Sequence, residues 1–404
     1  MTEPLEILAH IASFGTPPDA LTAFELAVGL GEFSDHLVQE TLPFLTGGGS
    51  ELQFVYGQYG RGKTHFLHTV GELARRNGFV TAYVDCRMGR SPFKSMQNTY
   101  RMIAEAMQAP NPDGNSMPRK GVTGVIANSH EQAGGRSINQ QLQAIREDPS
   151  LSPDFRNLVY AYASACWSDQ AAAELEEELT SLLLSDPGYR LKLSSLYRDH
   201  PNLPRPIGKL GRRNAGVWLR SLLSLPRALG YPGFVLLFDE TERGHSFGTG
   251  FSIAQQAHLA NLRNFVDHMA LGAFRGVSIH YAVVEDFIEL ARDRLDALSQ
   301  RIERVRVDLG GSGESALGNP RAVWVSLDEL TRPSPQEPSF FVQLGSGIME
   351  IGRRAGLPEE RIPALQQRFL SQAQSSAESI FEGSVREFVK FAAASVAQEV
   401  KKRV

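Results

Sequence analysis

Two kinds of apolar pattern alternate along this chain. Short runs with period two, or with no polar break at all, stand at 52–56, 79–84, 233–238, 276–284 and 322–327, and read as strands. The run beginning at Gly233 holds five apolar residues in a row, which suits a central parallel strand covered on both faces, and the run beginning at Gly276 reads as a further buried strand. Around them lie segments with helical spacing: 3–13, 20–45, 63–76, 92–108, 137–147, 153–166, 169–184, 252–271, 287–298, 340–355, 363–381 and 384–401. Helices placed between strands let successive strands run parallel. The expectation is therefore an α/β fold with a doubly wound, five-stranded parallel sheet, 322–327 forming one edge.

Breaks in the pattern divide the chain. Residues 1–50 form a helical lead-in closed by Gly47-Gly-Gly-Ser50. A nucleotide-binding core takes 51–109 and 207–330. Between its halves Pro, Gly, Asn and Ser crowd 110–136 and helical runs follow, so 110–206 reads as a helical insertion. Residues 331–404 form a C-terminal helical lid. The helix at 92–108 is expected to start with Ser91 as its cap and Pro92 in its first position.

The first strand runs directly into Gly57-Gln58-Tyr59-Gly60-Arg61-Gly62-Lys63-Thr64-His65, and a helix follows. Strand, Gly-x-x-x-x-Gly-Lys-Thr, then helix is the order a phosphate-binding loop requires. Glycines let the backbone wrap a phosphate so that N–H groups and the positive end of the helix face an anion. Residues 57–65 are thus candidates for holding ATP, with Lys63 reaching the β- and γ-phosphates. The Thr64 hydroxyl is a ligand for Mg²⁺, an ion usually held by few protein oxygens together with phosphates and water.

A second acidic element matches the first. The run 233–238 ends in Asp239 and Glu240; Asp239 would orient Mg²⁺ and Glu240 would polarise the attacking water, since phosphoryl transfer depends on positioning and charge stabilisation. Glu285, at the tip of the strand 276–284, is a candidate sensor of the γ-phosphate, with a capping Asp286 as the alternative. Arg301 and Arg304 are candidates for the arginine that stabilises transferring phosphate, although surface arginines at a helix end would look the same. Asp85 and Arg87 end the strand 79–84, where open α/β sheets place their sites, or are a solvated strand end. Arg386, early in the last helix, could fold back over the nucleotide.

Charge adds one feature. The formal net charge of -4 gives no global attraction for nucleic acid, yet residues 201–232 hold Arg205, Lys209, Arg212, Arg213, Arg220 and Arg227 with no Asp or Glu. That patch could meet DNA phosphates, another subunit or a nucleotide, or be a basic face with acidic neighbours elsewhere. Glu174–Glu178 reads as a solvated helix face. Two cysteines, Cys86 and Cys166, make no disulfide framework and no zinc spacing. The start of the chain is acidic where a signal peptide would be basic, and no long apolar run stands anywhere, so a cytoplasmic protein with no membrane contact is expected.

Taken together these segments resemble an AAA+ ATPase of the origin-recognition type, and more narrowly the BrxD-like ATP-binding proteins of bacterial BREX phage-defence systems. The resemblance is carried by Gly57–Leu67, by Leu229–Glu242 with its Gly-Tyr-Pro-Gly lead into the acidic strand, by Asn261-Leu-Arg-Asn-Phe-Val-Asp267, and by Val385-Arg-Glu-Phe-Val389. It implies ATP and Mg²⁺ binding, hydrolysis, oligomerisation of the chain with itself, and partnership with other defence proteins on DNA. It carries over Lys63, Thr64, Asp239 and Glu240, and with them Glu285, Arg301 and Arg386. The long 110–200 insertion departs from the family's pattern, as does the lack of a DNA-binding module at the C-terminus. Three other readings stand beside it: an ATP-dependent scaffold that recruits a DNA-modifying partner with little hydrolysis, a transposition-regulator ATPase that forms filaments on DNA, and, with no second-substrate pocket in evidence, a small-molecule kinase.

Overall fold

The computed structural model describes residues 3–57, 60, 62–86, 92–111, 118–132, 134–167, 173–186, 188, 192–239, 260–264, 267–269, 272–283, 324–327, 340–378 and 384–402. Its strands are β1 (Ser50–Tyr56), β2 (Val80–Asp85), β3 (Met107–Gln108), β4 (Phe234–Asp239), β5 (Val277–Ala282) and β6 (Trp324–Ser326). They form one six-stranded sheet in the order β3-β2-β4-β5-β1-β6. β2 runs parallel to β4 over six pairs, from Val80↔Phe234 to Asp85↔Asp239, and β1 parallel to β6. Every residue of β4 and β5 is buried, as central strands covered on both faces are.

Among the described residues the sheet has six strands, where the apolar pattern predicts five. The added one, β3, pairs antiparallel with β2 through Thr81↔Gln108 and Ala82↔Met107. Two residues are too few to show a period, and the helical spacing before them runs straight on. The helix there is Met96–Ala106, not 92–108. Pro92–Lys94 is a separate turn of 3-10 helix, and the cap is Ser95, whose Oγ accepts from Asn98 N at 3.2 Å.

By its contacts the chain divides into two compact units, the cut passing through β1, β5 and the helix Lys63–Arg76. The first comprises residues 1–41, 53–73 and 280–404. One of its apolar clusters joins the two ends of the chain. Ile7, Leu8 and Ile11, on one stripe of the helix Pro4–Phe14, pack with Leu344, Ile348, Phe369, Phe388 and Val396 of the C-terminal helices Phe340–Arg354, Ile362–Glu378 and Ser384–Lys401. Gly15 ends the first helix in the left-handed region at φ 66°, and a Cβ there would stand 2.6 Å from Arg386 Cγ. A glycine is needed on both counts, conformation and room.

The second unit comprises residues 42–52 and 74–279, and contains the helices of the 110–206 stretch. Those helices are fastened by buried aromatic residues whose polar ends are bonded, as burial demands. Tyr100 donates to Leu183 O at 2.7 Å, Trp167 Nε1 to Ile126 O at 3.1 Å, and the Tyr231 hydroxyl to Val125 O at 2.9 Å. At the centre, Trp218 is 1% exposed, edge-on to Phe155 at 5.5 Å and to Tyr100 at 5.8 Å. Trp218→Ala is expected to destabilise the fold by about 3–5 kcal/mol, read as a lower guanidinium midpoint by circular dichroism; an unchanged midpoint would remove Trp218 from the centre of this core.

Candidate functional site

In the first unit the end of β1 carries the glycine loop. Phe54 and Val55 are fully buried and deliver the backbone to Gly57, which is buried as well. Gly60 and Gly62 take φ of 81° and 89°, a region that side chains rarely adopt. At Gly62 an added Cβ would meet only His65 Cβ, at 3.7 Å, so the conformation, not lack of space, calls for glycine. The helix Lys63–Arg76 begins at the next residue, and Phe66 N bonds Gly62 O at 2.8 Å. Its inner face, Phe66, Leu67 and Val70, is buried; the Phe66 ring lies 4.8 Å from Phe33 and 6.4 Å from His280. The helix is thereby anchored with its N-terminal N–H groups, which have no acceptor within the helix, at the loop.

Lys63 is 8% exposed and its Nζ donates to Gly57 O at 2.8 Å. The amine therefore spans the loop from its last residue to its first. Thr64 and His65 follow, partly exposed. Enclosure by protein atoms, and then the neighbouring His68, pushes His65 down to about 4, so its imidazole is neutral near pH 7. Gln58, Tyr59 and Arg61 lie outside the described residues.

The second unit holds the acidic strand end. Asp239 is fully buried and is the last residue of β4. Tyr83, on the adjacent β2, donates its hydroxyl to Asp239 Oδ2 at 2.5 Å, while Asp85 stands in register with Asp239 and Cys86 N donates to Asp239 O at 2.9 Å. Burial, reinforced by the charges of Asp239 and Asp85, pushes the Cys86 thiol well above its ordinary range. It is consequently not a nucleophile near neutral pH. Among the described residues, Tyr83 is a contributor here that sequence reasoning missed. The available signal was a tyrosine two residues before a strand-end acid, which gains meaning only once β2 and β4 are known to be neighbours.

The other predicted residues divide plainly. Glu240, Glu285, Arg301, Arg304 and Arg87 lie outside the described residues. Arg386 Nε donates to Phe14 O at 3.0 Å, within the first unit. Of the basic stretch, Arg205, Lys209, Arg212, Arg213 and Arg220 are exposed, with the Arg205 guanidinium 4.4 Å from the centre of the Tyr197 ring. Arg227 serves the fold, donating through Nη1 to the carbonyls of Leu45, Thr46 and Pro232 at 3.2, 2.9 and 3.1 Å. Among the described residues no helix is long and apolar enough to cross a membrane.

The family description "BREX system ATP-binding protein BrxC/D" matches residues 15–391. No curated protein and no solved structure matches the chain.

Proposed function

Since the chain belongs to the BrxC/D family of BREX system ATP-binding proteins, we propose that it is an ATPase of the AAA+ type, acting as a nucleotide-operated switch in a phage-defence assembly on DNA. The observation that carries this reading is the loop at 57–64: two glycines at positive φ, a helix that starts on the next residue, and a nearly buried lysine amine drawn across the loop. Such a loop offers an anion several backbone donors and a charge at one place.

In this reading the N–H groups of the loop bind the triphosphate and Lys63 holds the β- and γ-phosphates. Thr64 and Asp239 each supply an oxygen donor of a kind that fits Mg²⁺. When bound, Mg²⁺ would neutralise phosphate charge as the γ-phosphoryl leaves. Tyr83 holds the Asp239 carboxylate in one rotamer. Glu240 takes a proton from the attacking water, Glu285 senses the γ-phosphate, Arg301 stabilises the transferring group, and Arg386 answers to the nucleotide from the C-terminal helices. Contacts made only by the γ-phosphate give the two nucleotide states different free energies, which a switch needs.

The test is a pair of measurements on the purified chain: a titration with a fluorescent ATP analogue, and phosphate release with and without DNA. Binding with Mg²⁺-dependent turnover is expected; absence of binding would overturn the reading. Binding with no phosphate release under any condition would favour the scaffold alternative. Tyr83→Phe, which loses one hydrogen bond worth about 1 kcal/mol, is expected to raise the Mg²⁺ concentration for half-maximal turnover severalfold while leaving ATP affinity nearly unchanged. An identical Mg²⁺ profile would separate Tyr83 from the site.

A further inference from the structure

The second unit contains a cavity of about 710 Å³ whose lining includes Lys94, Arg101, Arg212, Asn98 and Asn261, and no acidic residue among those described. Lys94 and Arg212 are exposed, and Arg101 and the two asparagines partly so. The wall is built, not incidental. Arg101 Nε donates to Ser185 O at 3.1 Å, which orients its guanidinium, and Asn261 Nδ2 donates to Phe93 O at 2.8 Å, which ties the helical residues 260–264 to the turn carrying Lys94. The first turn of the helix Met96–Ala106 already has its cap in Ser95, so the attraction for an anion comes from the three cationic side chains.

The geometry points to a binding site for the phosphodiester backbone of nucleic acid in this cavity. Three cations with amide donors, and no carboxylate among the described lining residues, match phosphate oxygens. No aromatic residue stands among the described lining residues, which offer contacts to phosphate and no ring on which to stack a base. The positive charge continues past the cavity: Arg212 belongs to the acid-free stretch 201–232, in which Arg205, Lys209, Arg213 and Arg220 are also exposed. A ligand that uses both the cavity and this stretch is a polyanion longer than the cavity. Contacts of this kind position a strand without reading its sequence.

The experiment is fluorescence anisotropy of the full chain with labelled single-stranded and duplex oligonucleotides over a salt series, in the absence of nucleotide, so that its outcome is independent of the ATP titration above. The variant is Lys94→Glu combined with Arg212→Glu, both exposed, while Arg101 is left in place because it bonds the fold. Affinity is expected to fall about tenfold or more and the salt slope to shrink by about 1.8 for duplex and about 1.4 for a single strand, since each of the two lost phosphate contacts removes about 0.9 or about 0.7. Arg136→Glu, equally exposed but outside the cavity lining, reports the effect of charge alone and is expected to change little. The arm bound more tightly by the parent chain identifies the strand form. Parental affinity in the double variant, an equal loss in Arg136→Glu, or binding of inorganic phosphate with no binding of either oligonucleotide would each overturn the assignment.

Discussion

Replacing Lys63 with alanine is expected to abolish measurable ATP binding. The amine is nearly buried and donates to the Gly57 carbonyl at 2.8 Å, and an ammonium carries three donors in all. A charged group held this far from water gains most from an anion that brings several acceptors, and hydrogen bonds to charged groups contribute about 1.5–3 kcal/mol each. Loss of two such bonds reduces affinity by roughly a hundredfold or more. Arginine is not expected to rescue, because a planar fork cannot replace a compact charge in a turn this tight. The check is ligand-induced stabilisation: at a hundred times the dissociation constant ATP adds about 2.7 kcal/mol to the parent, and none is expected in Lys63→Ala. Because the substitution also takes a donor from Gly57, circular dichroism must first establish that the variant is folded. A folded variant that still gained stability from ATP at the parental concentration would sink the loop assignment.

The parts of this protein legible in its sequence are those governed by local period. A continuous apolar run located β4, because a strand buried on both faces has few polar positions to confuse the pattern; β5 was legible despite Ser278 and His280, both fully buried. The helix Lys63–Arg76 and the helix Pro153–Cys166 lie where their stripes predict them. What was not legible depends on residues distant in the chain. β3 exists because β2 offers it an edge, and neither of its residues signals a strand. Tyr83 and Asp239 are 156 residues apart, and no local rule pairs them. The core shared by the helix Pro4–Phe14 and the three C-terminal helices is of the same kind. Each amphipathic stripe announces that it must be covered, but not by what. The start of the helix Met96–Ala106 was missed for a different reason. Ser91-Pro92 and Ser95 are both good start signals, and a turn of 3-10 helix at the first pushed the α-helix on to the second.

Glu240→Gln is expected to keep ATP binding and to lose turnover by about 10²–10⁴-fold, the range that a positioned general base contributes. Glu240 lies outside the described residues, so the expectation rests on its place in the chain, directly after the buried Asp239 that ends β4. The amide has the shape of the carboxylate and cannot accept the proton, which isolates proton transfer from packing. Asp239→Asn provides the contrast: it disturbs an oxygen donor already engaged by Tyr83, and its deficit should shrink as Mg²⁺ is raised, whereas that of Glu240→Gln should not. Single-turnover phosphate release separates chemistry from product release, and the loss must appear in that step. Parental single-turnover rates in Glu240→Gln would remove it as the base; a loss that Mg²⁺ restored would instead make it a metal-positioning residue, leaving the water to be activated by another group.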